Sequence, residues 1–364
     1  MNDKDRGFND GAFLEESDKQ TAFIKCEGCG GNMVFNPQTQ NLKCEHCGRE
    51  DNFIKSASVC EINLGRALED DVNSGVATTP YRCENCGASF NVSASEVSVL
   101  CPYCSTTHVV KEEDLSGIKP NVIYPFVLTK NTAIALSRKW VKRRIFAPRP
   151  YKKNLSEENL HGVYQPCFTF DSDTKSYYYG VIGERKTRTV KTSKGTRTET
   201  YIKWKHVSGN IDIFFDDVTV SCGSMSQQEF DKIMPFDKSL ACVYERKFLS
   251  GFSASHYTRN VRRCWDDAKR FIDAKLRRAI LNRYNCDVVQ SLTVNTAHTA
   301  VTYKYVLFPV YKLNYRYNKK DYPVMINGNN GKVTGKTPVS VWRVLIAVGL
   351  VLAFVAALVF AFSS

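Results

Sequence analysis

Eight cysteines in the first third of the chain are arranged as four Cys-x2-Cys pairs. The pairs form two groups with fourteen residues between the pairs of each group, and the second group follows at an offset of 57 residues. The first group is Cys26, Cys29, Cys44 and Cys47, and the second is Cys83, Cys86, Cys101 and Cys104. Two such pairs can bring four thiolates to the corners of a tetrahedron, which is the geometry that zinc prefers. The spacing therefore predicts two zinc ions in a tandemly duplicated module.

The chemistry expected of these sites is structural. All four positions of each group are cysteine, so no coordination position is open for water or substrate. A module of about 30 residues is also too small to fold without a metal or another cross-link. Redox-active cysteines or an iron centre are the alternatives that such pairs allow. His46 and His108 lie beside the pairs and are interpreted as surface histidines, not ligands.

Tight turns must position the sulphur atoms. Gly30, Gly48 and Gly87 directly follow the second cysteine of three pairs, and Ser105 takes this place in the fourth. Glycine adopts the left-handed conformation that lets backbone N–H groups point at sulphur. The sequence thus predicts a short hairpin between two such turns in each module.

The other cysteines occur singly and are interpreted as ordinary buried thiols. They are Cys60, Cys167, Cys222, Cys242, Cys264 and Cys286. Paired metal ligands together with free thiols are typical of a reducing cytoplasm. The segment Met1–Gln20 holds six acids and three bases without an apolar run, so it is not expected to be a secretory signal.

An uncharged apolar run of 19 residues, Val344–Phe362, lies near the C-terminus. As a helix it would be about 28 Å long, close to the hydrocarbon thickness of a bilayer. Trp342 stands where an interfacial aromatic belongs, and Lys332, Lys336 and Arg343 precede the run while no base follows it. The positive-inside rule then predicts a single-pass, tail-anchored protein of the cell membrane with a cytoplasmic N-terminal body. A buried C-terminal core helix is the alternative.

The charge balance of the 364 residues favours an anionic partner. Fifty Lys and Arg against 37 Asp and Glu give a net charge of +13, which eight zinc-bound thiolates would lower to about +9. Lys130–Lys153 contains nine bases and no acid, and Glu184–His206 contains eight bases and two acids. The second segment predicts an exposed basic hairpin with its turn near Ser193-Lys194-Gly195. Three interpretations of the bases stay open: a solvated surface, contact with an anionic inner leaflet, and nucleic-acid binding.

The central part of the chain predicts an α+β body with an antiparallel sheet. Amphipathic helices are expected at Asn131–Phe146, with Ile134, Val141 and Ile145 inward, and at His256–Tyr284. Strands are expected at Gly162–Phe170, Tyr177–Ile182, Ile211–Val220, Val301–Tyr317 and Tyr322–Ile326. The predicted organisation is a disordered tail (1–22), zinc ribbon 1 (23–57), a linker (58–78), zinc ribbon 2 (79–110), the body (111–338) and the transmembrane anchor (339–364).

No motif in the sequence predicts catalysis or cofactor binding beyond the zinc. Asn330–Thr337 resembles a phosphate-binding loop, but Asn330 stands where glycine is required and Pro338 follows at once. Asp216 and Asp217 are adjacent, and neighbours on a strand point in opposite directions, so they are not expected to act as an acid/base pair. The chain is therefore predicted not to be an enzyme.

Segments along most of the chain resemble a bacterial family of membrane-anchored tandem zinc-ribbon proteins. The resemblance is carried by Tyr81–Ala88, Cys101–Cys104, Gly117–Pro120, Trp140–Pro148, Gly162–Pro166, Phe215–Val218, Tyr305–Pro309 and Ile326–Gly335. It covers about residues 23–340, and the order of the segments is kept. Members are often labelled transcription factor IIB-type zinc ribbon or primosomal helicase-like protein. The helicase label is not supported by this chain, which lacks a phosphate-binding loop.

The resemblance implies a role without catalysis. Some similar membrane-anchored proteins accompany phage shock protein A and flotillin-like proteins in membrane-stress systems. The expected function is therefore a membrane-anchored adaptor that recruits a cytoplasmic protein partner. The alternative is a nucleic-acid-binding zinc-ribbon protein tethered to the membrane.

Overall fold

A computed structural model describes residues 24–52, 59–65, 78–82, 89–93, 96–100, 107–109, 118–153, 160–192, 195–255, 257–318 and 320–363. The predicted tail at 1–22, most of the predicted linker and the four cysteines of the second group lie outside the described residues.

Short strands fill the cysteine-rich part, and much longer ones form the body. The strands are β1 (Met33–Asn36), β2 (Asn41–Cys44), β3 (Glu50–Asp51), β4 (Ile62–Asn63), β5 (Thr78–Arg82), β6 (Ser89–Ser93), β7 (Glu96–Leu100), β8 (Thr107–Val109), β9 (Val122–Ile123), β10 (Leu160–Thr192), β11 (Gly195–Ser221), β12 (Cys242–Val243), β13 (Ser253–Ser255), β14 (Val288–Tyr317), β15 (Lys320–Asn327) and β16 (Val333–Gly335). The α-helices are α1 (Lys130–Lys142), α2 (Arg149–Lys153), α3 (Gln227–Ile233), α4 (Val261–Leu281) and α5 (Val341–Ser363).

Three long antiparallel strands form the frame of the body. Strand β10 lies between β14 and β11, with register running from Leu160 opposite Leu313 on one side and from Cys167 opposite Ser221 on the other. The short strands β13 and β9 add parallel pairs to β10 and β14. The prediction of an α+β fold with a mainly antiparallel, β-rich body is confirmed.

The predicted strands are parts of longer ones. Gly162–Phe170 and Tyr177–Ile182 are both segments of β10, which runs without interruption for 33 residues. The residues between them are polar, so the alternation of apolar and polar positions is hidden there. Asp171, Ser172, Thr174 and Ser176 are nevertheless buried. Their side chains find polar partners on the neighbouring strands: for Asp171 the Lys304 ammonium, for Ser172 the His298 ring, for Thr174 the Ile213 carbonyl and for Ser176 the Thr296 hydroxyl.

The central sheet is covered on both faces. Phe168, Tyr305 and Leu307 belong to one buried cluster, whereas their neighbours Cys167, Val306 and Phe308 belong to another. Successive residues of a strand point to opposite faces, so the two clusters lie on opposite sides of the sheet. Helix α4 contributes to the first cluster and α3 to the second. This double burial explains why Tyr305–Tyr311 is a continuous apolar run.

Helix α4 follows the prediction for its buried face but begins later. The Asn260 side chain accepts a hydrogen bond from the Arg263 backbone N–H, so the helix starts at Val261 and not at His256. Of the residues expected inward, Val261, Ala268, Ile272 and Leu276 are fully buried and Trp265 is partly buried.

Helix α1 is shorter than predicted. Thr129 caps it, with its side chain accepting from the Thr132 backbone N–H, and the helix ends at Lys142. Ile134 and Val141 are buried as expected. The inward position predicted for Ile145 is wrong, because this side chain lies beyond the helix end and is 69% exposed.

The expectation that Asp216 and Asp217 point in opposite directions is also wrong. The pairing of β10 and β11 shifts register between Phe170 and Ser172, and Asp217 has a φ of +52°. This bulge turns both carboxylates toward the same Lys238 ammonium, whose Nζ lies 2.6 Å from Asp216 Oδ2 and 2.7 Å from Asp217 Oδ2.

Candidate metal centre

The four cysteine sulphur atoms of the first group lie within 4.8 Å of one another. Cys26 Sγ is 3.6 Å from Cys47 Sγ, and Cys29 Sγ is 3.5 Å from Cys44 Sγ. Four sulphurs around a tetrahedral zinc, each about 2.3 Å from the metal, would be about 3.8 Å apart. A disulfide would need a separation of about 2 Å. The group could therefore bind a metal, and its size fits zinc.

A hairpin and two glycine turns place these sulphurs. The first pair precedes β1, Cys44 is the last residue of β2, and Cys47 follows. Gly30 and Gly48 have φ values of +70° and +76°, and their backbone N–H groups donate to the carbonyls of Cys26 and Cys44. The left-handed turns predicted at these two glycines are confirmed, whereas Gly87 lies outside the described residues.

Backbone donors favour the thiolate at one ligand. The N–H groups of Cys47 and His46 point at Cys44 Sγ and lower the pKa of that thiol to about 6 against the opposing effect of burial. The Gly31 N–H also lowers the pKa of Cys29, but the neighbouring sulphurs of Cys44 and Cys47 outweigh it and raise that pKa to about 12. Four crowded thiols resist full ionisation until a cation neutralises them, and a bound metal supplies that charge.

The first cysteine group is seated on the body. The Phe35 ring lies 5.4 Å from the Phe248 ring, and the Phe35 backbone N–H donates to the Ser250 carbonyl at 3.0 Å. The Ser250 hydroxyl donates in return to the Met33 carbonyl. Met33 and Phe35 are each 3% exposed as a result.

Strand register supports the duplication of the module. The bridge between Lys25 and Asn32 corresponds, 57 residues later, to the pair between Arg82 and Ser89. The β2–β3 pairs Leu42–Asp51 and Lys43–Glu50 correspond at the same offset to the β7–β8 pairs Val99–His108 and Leu100–Thr107. The backbone around the second cysteine group therefore repeats the outer pairings of the first. Among the described residues, the central β1–β2 pairing has no counterpart between β6 and β7. Cys83, Cys86, Cys101 and Cys104 themselves lie outside the described residues.

The single cysteines mostly match their interpretation. Cys167, Cys222, Cys242 and Cys264 are buried, and burial raises the pKa of the Cys167 and Cys222 thiols well above the usual value. Cys286 is half-buried, and Cys60 is exposed, so the expectation of burial is wrong for Cys60. His46 is exposed as predicted.

A cluster of ionised side chains that the sequence did not predict lies inside the body. The ammonium of Lys304 contacts three carboxylates: Asp217 Oδ1 at 2.8 Å, Asp171 Oδ2 at 3.2 Å and Glu61 Oε1 at 3.2 Å. Asp171, Asp216 and Asp217 also bring ligand atoms within 4.8 Å of one another. Because the ammonium groups of Lys304 and Lys238 already contact all of these acids, the cluster is interpreted as an internal ion network.

Burial governs the titration of this network. It raises the pKa of Asp171 to about 6, although the Asp217 backbone N–H and the Lys304 ammonium both lower it. The pKa of Lys304 is also raised, because its carboxylate partners, Asp217 foremost, outweigh the opposing effect of burial. A signal was present in the sequence: Lys304 is a single base inside the apolar run at residues 301–310, and a buried base needs acidic partners.

Helix α5 is long and apolar enough to cross a membrane. Its segment Val341–Val359 is 19 residues long, and none of it is buried against the rest of the protein. A buried C-terminal core helix, the alternative from the sequence, does not match this exposure. The first turn of α5 contacts the body, since Arg343 Nη1 donates to the carbonyls of Ile145 and Ala147, both at 2.8 Å.

Comparison with known proteins gives one relative to describe. A protein of Bacillus subtilis (strain 168) that carries the name uncharacterized protein YdjG is 26% identical over 322 residues. The similarity spans 87% of this chain and 90% of that protein, so it extends over the body as well as the cysteine-rich part. No protein-family profile and no solved structure matches the chain.

Proposed function

We propose that this protein is a non-enzymatic, membrane-anchored adaptor with two tandem zinc ribbons, which recruits a protein partner to the inner face of the cell membrane. The observation that carries the proposal is α5, an exposed apolar helix joined to a folded body. Such a helix costs free energy in water and is stabilised in a bilayer. An adaptor that brings a partner to the membrane must itself stay there, and this helix would keep it there.

The zinc ribbons serve as the recruiting platform in this proposal. One zinc is held by Cys26, Cys29, Cys44 and Cys47, and the other by Cys83, Cys86, Cys101 and Cys104. Cysteine ligands at every position leave no open site for chemistry, so the metals fix the shape of a surface. That surface lies on the cytoplasmic side, because the basic residues precede α5.

Removal of α5 tests the anchor. The full-length chain should remain with membranes after alkaline extraction, and a chain ending at Pro338 should move to the soluble fraction. Cysteine accessibility gives the orientation: in intact cells, exposed Cys60 should be protected from an impermeant maleimide and become reactive after permeabilisation. A full-length chain that is fully extracted would remove the basis of the adaptor proposal.

Capture of partners tests recruitment. The full-length chain, crosslinked in cells and purified with nuclease treatment, should retain a discrete protein partner. A variant with both cysteine groups replaced by serine but with α5 intact should lose that partner while staying in the membrane. If nuclease releases every captured component, the adaptor proposal is wrong and the nucleic-acid alternative takes its place.

A protruding ribbon favours nucleic-acid binding as the second candidate function. Beyond Gly183, which pairs with Val288, strands β10 and β11 continue as a two-stranded ribbon for nine residue pairs, about 30 Å. The basic hairpin predicted from the sequence is thus confirmed as an exposed element. Its described bases are Arg185, Lys186, Arg188, Lys191, Arg197 and Lys203.

The chemistry of this ribbon suits a polyanion. Exposed Tyr201 and Trp204 lie among the bases, and rings between bases can stack on nucleobases. A two-stranded ribbon is also narrow enough for a major groove. Two bases already form ion pairs, Lys186 with Glu184 and Arg188 with Glu199. These pairs leave less positive charge for binding a polyanion. Binding by this route would weaken steeply with salt and would be reduced in Trp204→Ala.

A further inference from the structure

We propose that the α1–α2 corner, residues 142–148, is a second membrane contact that docks on anionic lipid headgroups beside α5. The inference rests on the proposed anchor and adds to it a lipid-binding surface of the body. Its basis is the juxtaposition of exposed apolar side chains, exposed bases and the first turn of the anchor.

The corner exposes apolar side chains in an unusual place. Residues 142–146 are exposed without interruption between the end of α1 and the start of α2. Ile145 is 69% exposed, and Phe146 follows at 37%. Exposed apolar side chains are unfavourably hydrated. Two adjacent ones at the tip of a loop can insert at the boundary between the headgroups and the acyl chains of a bilayer.

Bases flank these two side chains along the chain. Lys142, Arg143, Arg144 and Arg149 are exposed, and the stretch from Lys130 to Lys153 contains no acid. Arg144 stacks over the Trp140 ring at 4.3 Å, which holds its guanidinium at the corner. Apolar residues flanked by bases are typical of protein surfaces that bind anionic bilayers.

Hydrogen bonds fix the corner at the level where the anchor begins. Three successive carbonyls accept from the start of α5 and the residue before it: those of Ile145 and Ala147 from Arg343 Nη1, and that of Phe146 from the Ser340 N–H, each at 2.8 Å. Helix α5 has 23 residues, about 34 Å, and the hydrocarbon core is about 30 Å thick. The first turn of α5, and with it the corner, therefore lies at the headgroup layer.

Arg343 is held by the body and does not extend freely toward lipid phosphate. Its guanidinium binds two backbone carbonyls of the corner. The anchor and the corner are thereby linked at one point, so insertion of α5 brings Ile145 and Phe146 to the bilayer surface. The contact would restrict rotation of the body about the anchor.

Hydrogen exchange of the full-length chain in lipid nanodiscs tests the contact. In the described structure the backbone N–H groups of Ile145 and Phe146 donate no hydrogen bond, so they should exchange fast unless lipid covers them. In discs that contain phosphatidylglycerol, exchange of these amides should slow about tenfold or more relative to discs of phosphatidylcholine alone. The double variant Ile145→Ser/Phe146→Ser should lose the slowing, whereas Phe214→Ser, which changes an exposed apolar residue of β11, should keep it.

The outcomes separate this inference from the anchor. If the chain is incorporated in both kinds of disc but the corner amides exchange equally fast in both, the corner contact is wrong and the anchor stands. If these amides exchange more slowly than in the double variant, and equally so in both kinds of disc, the role of anionic headgroups is wrong. A chain that fails to enter either disc overturns the anchor and the corner contact together.

Discussion

Replacing Cys26 and Cys44 together by serine is expected to remove one of two zinc ions per chain and to unfold the first cysteine-rich module. Serine does not replace a thiolate as a zinc ligand, and the two remaining sulphurs cannot complete the tetrahedron. Metal binding supplies about 10–16 kcal/mol in small zinc modules at neutral pH. The buried side chains within this module, such as Met33, Phe35 and Leu42, are too few to replace that contribution.

Elemental analysis and hydrogen exchange measure this result. Zinc should fall from two ions to one, and amides of residues 24–51 should lose protection while those of β10 and β14 keep it. Cys83→Ser/Cys101→Ser should remove the other ion. Cys60→Ser is the matched control, because this exposed single cysteine belongs to neither group and should leave the zinc content at two. Wild-type protein with no zinc, or with one ion per chain, contradicts the prediction of two sites.

Lys304→Met should destabilise the body by about 3–5 kcal/mol. Methionine preserves most of the volume of the lysine side chain, so the loss is chiefly electrostatic. The Lys304 side chain is 13% exposed and that of Asp171 is 3% exposed, so removing the ammonium leaves a buried carboxylate without its neutralising partner. In a body of this size the thermal midpoint should fall by roughly 6–20 °C.

Circular dichroism of the detergent-solubilised full chain measures the midpoint. Lys238→Met is the matched control: this ammonium also contacts Asp217, but its side chain is 58% exposed, and exposed ion pairs contribute at most about 1 kcal/mol. Adding Asp171→Asn to Lys304→Met should restore part of the loss, because a neutral amide replaces the unpaired charge. Equal effects of the two lysine variants would show that the network is not buried in solution.

The loss caused by Lys304→Met should depend on pH. The pKa of Asp171 is already raised to about 6, and removal of a neighbouring positive charge raises it further. A carboxyl whose pKa is higher in the folded than in the unfolded state contributes stability at low pH, and this is lost as the pH rises through the folded-state value. The difference between variant and wild type should therefore be larger near about pH 8 than near about pH 5. Part of it should persist at the lower pH, because Asp217 and Glu61, whose pKa values are lowered in the wild type, also lose the ammonium.

The sequence predicted the first cysteine group because zinc chemistry fixes residue type and spacing together. Coordination allows few arrangements of Cys26, Cys29, Cys44 and Cys47, so the spacing alone was enough to predict the cluster. The inward face of α4 was predictable for a similar reason, since helical periodicity repeats through Val261, Ala268 and Ile272. Both signals are local in the chain.

Features that depend on distant partners could not be read from the sequence. Polar residues such as Asp171 and Thr174 interrupt the apolar pattern in the middle of β10. That segment is a strand because it pairs with β11 and β14, which are distant in the sequence. The direction of Asp217 follows from a bulge, which no local pattern indicated. Ile145 fits a helical face by spacing, but α1 ends at Lys142 and the side chain turns outward.

Residues 248–255 of the body contact both cysteine modules. Phe248 and Ser250 hold β1, while β13 pairs with β7 and the Phe252 carbonyl accepts from the Ser98 hydroxyl. The distance between the modules is therefore set by the body and not by the length of the chain that joins them. A partner that binds one module would then find the other module at a fixed distance. The gain in avidity therefore depends on how well the spacing of the partner's two binding sites matches the distance between the modules. Lengthening the connecting segment should leave that gain unchanged, whereas shifting β13 should abolish it.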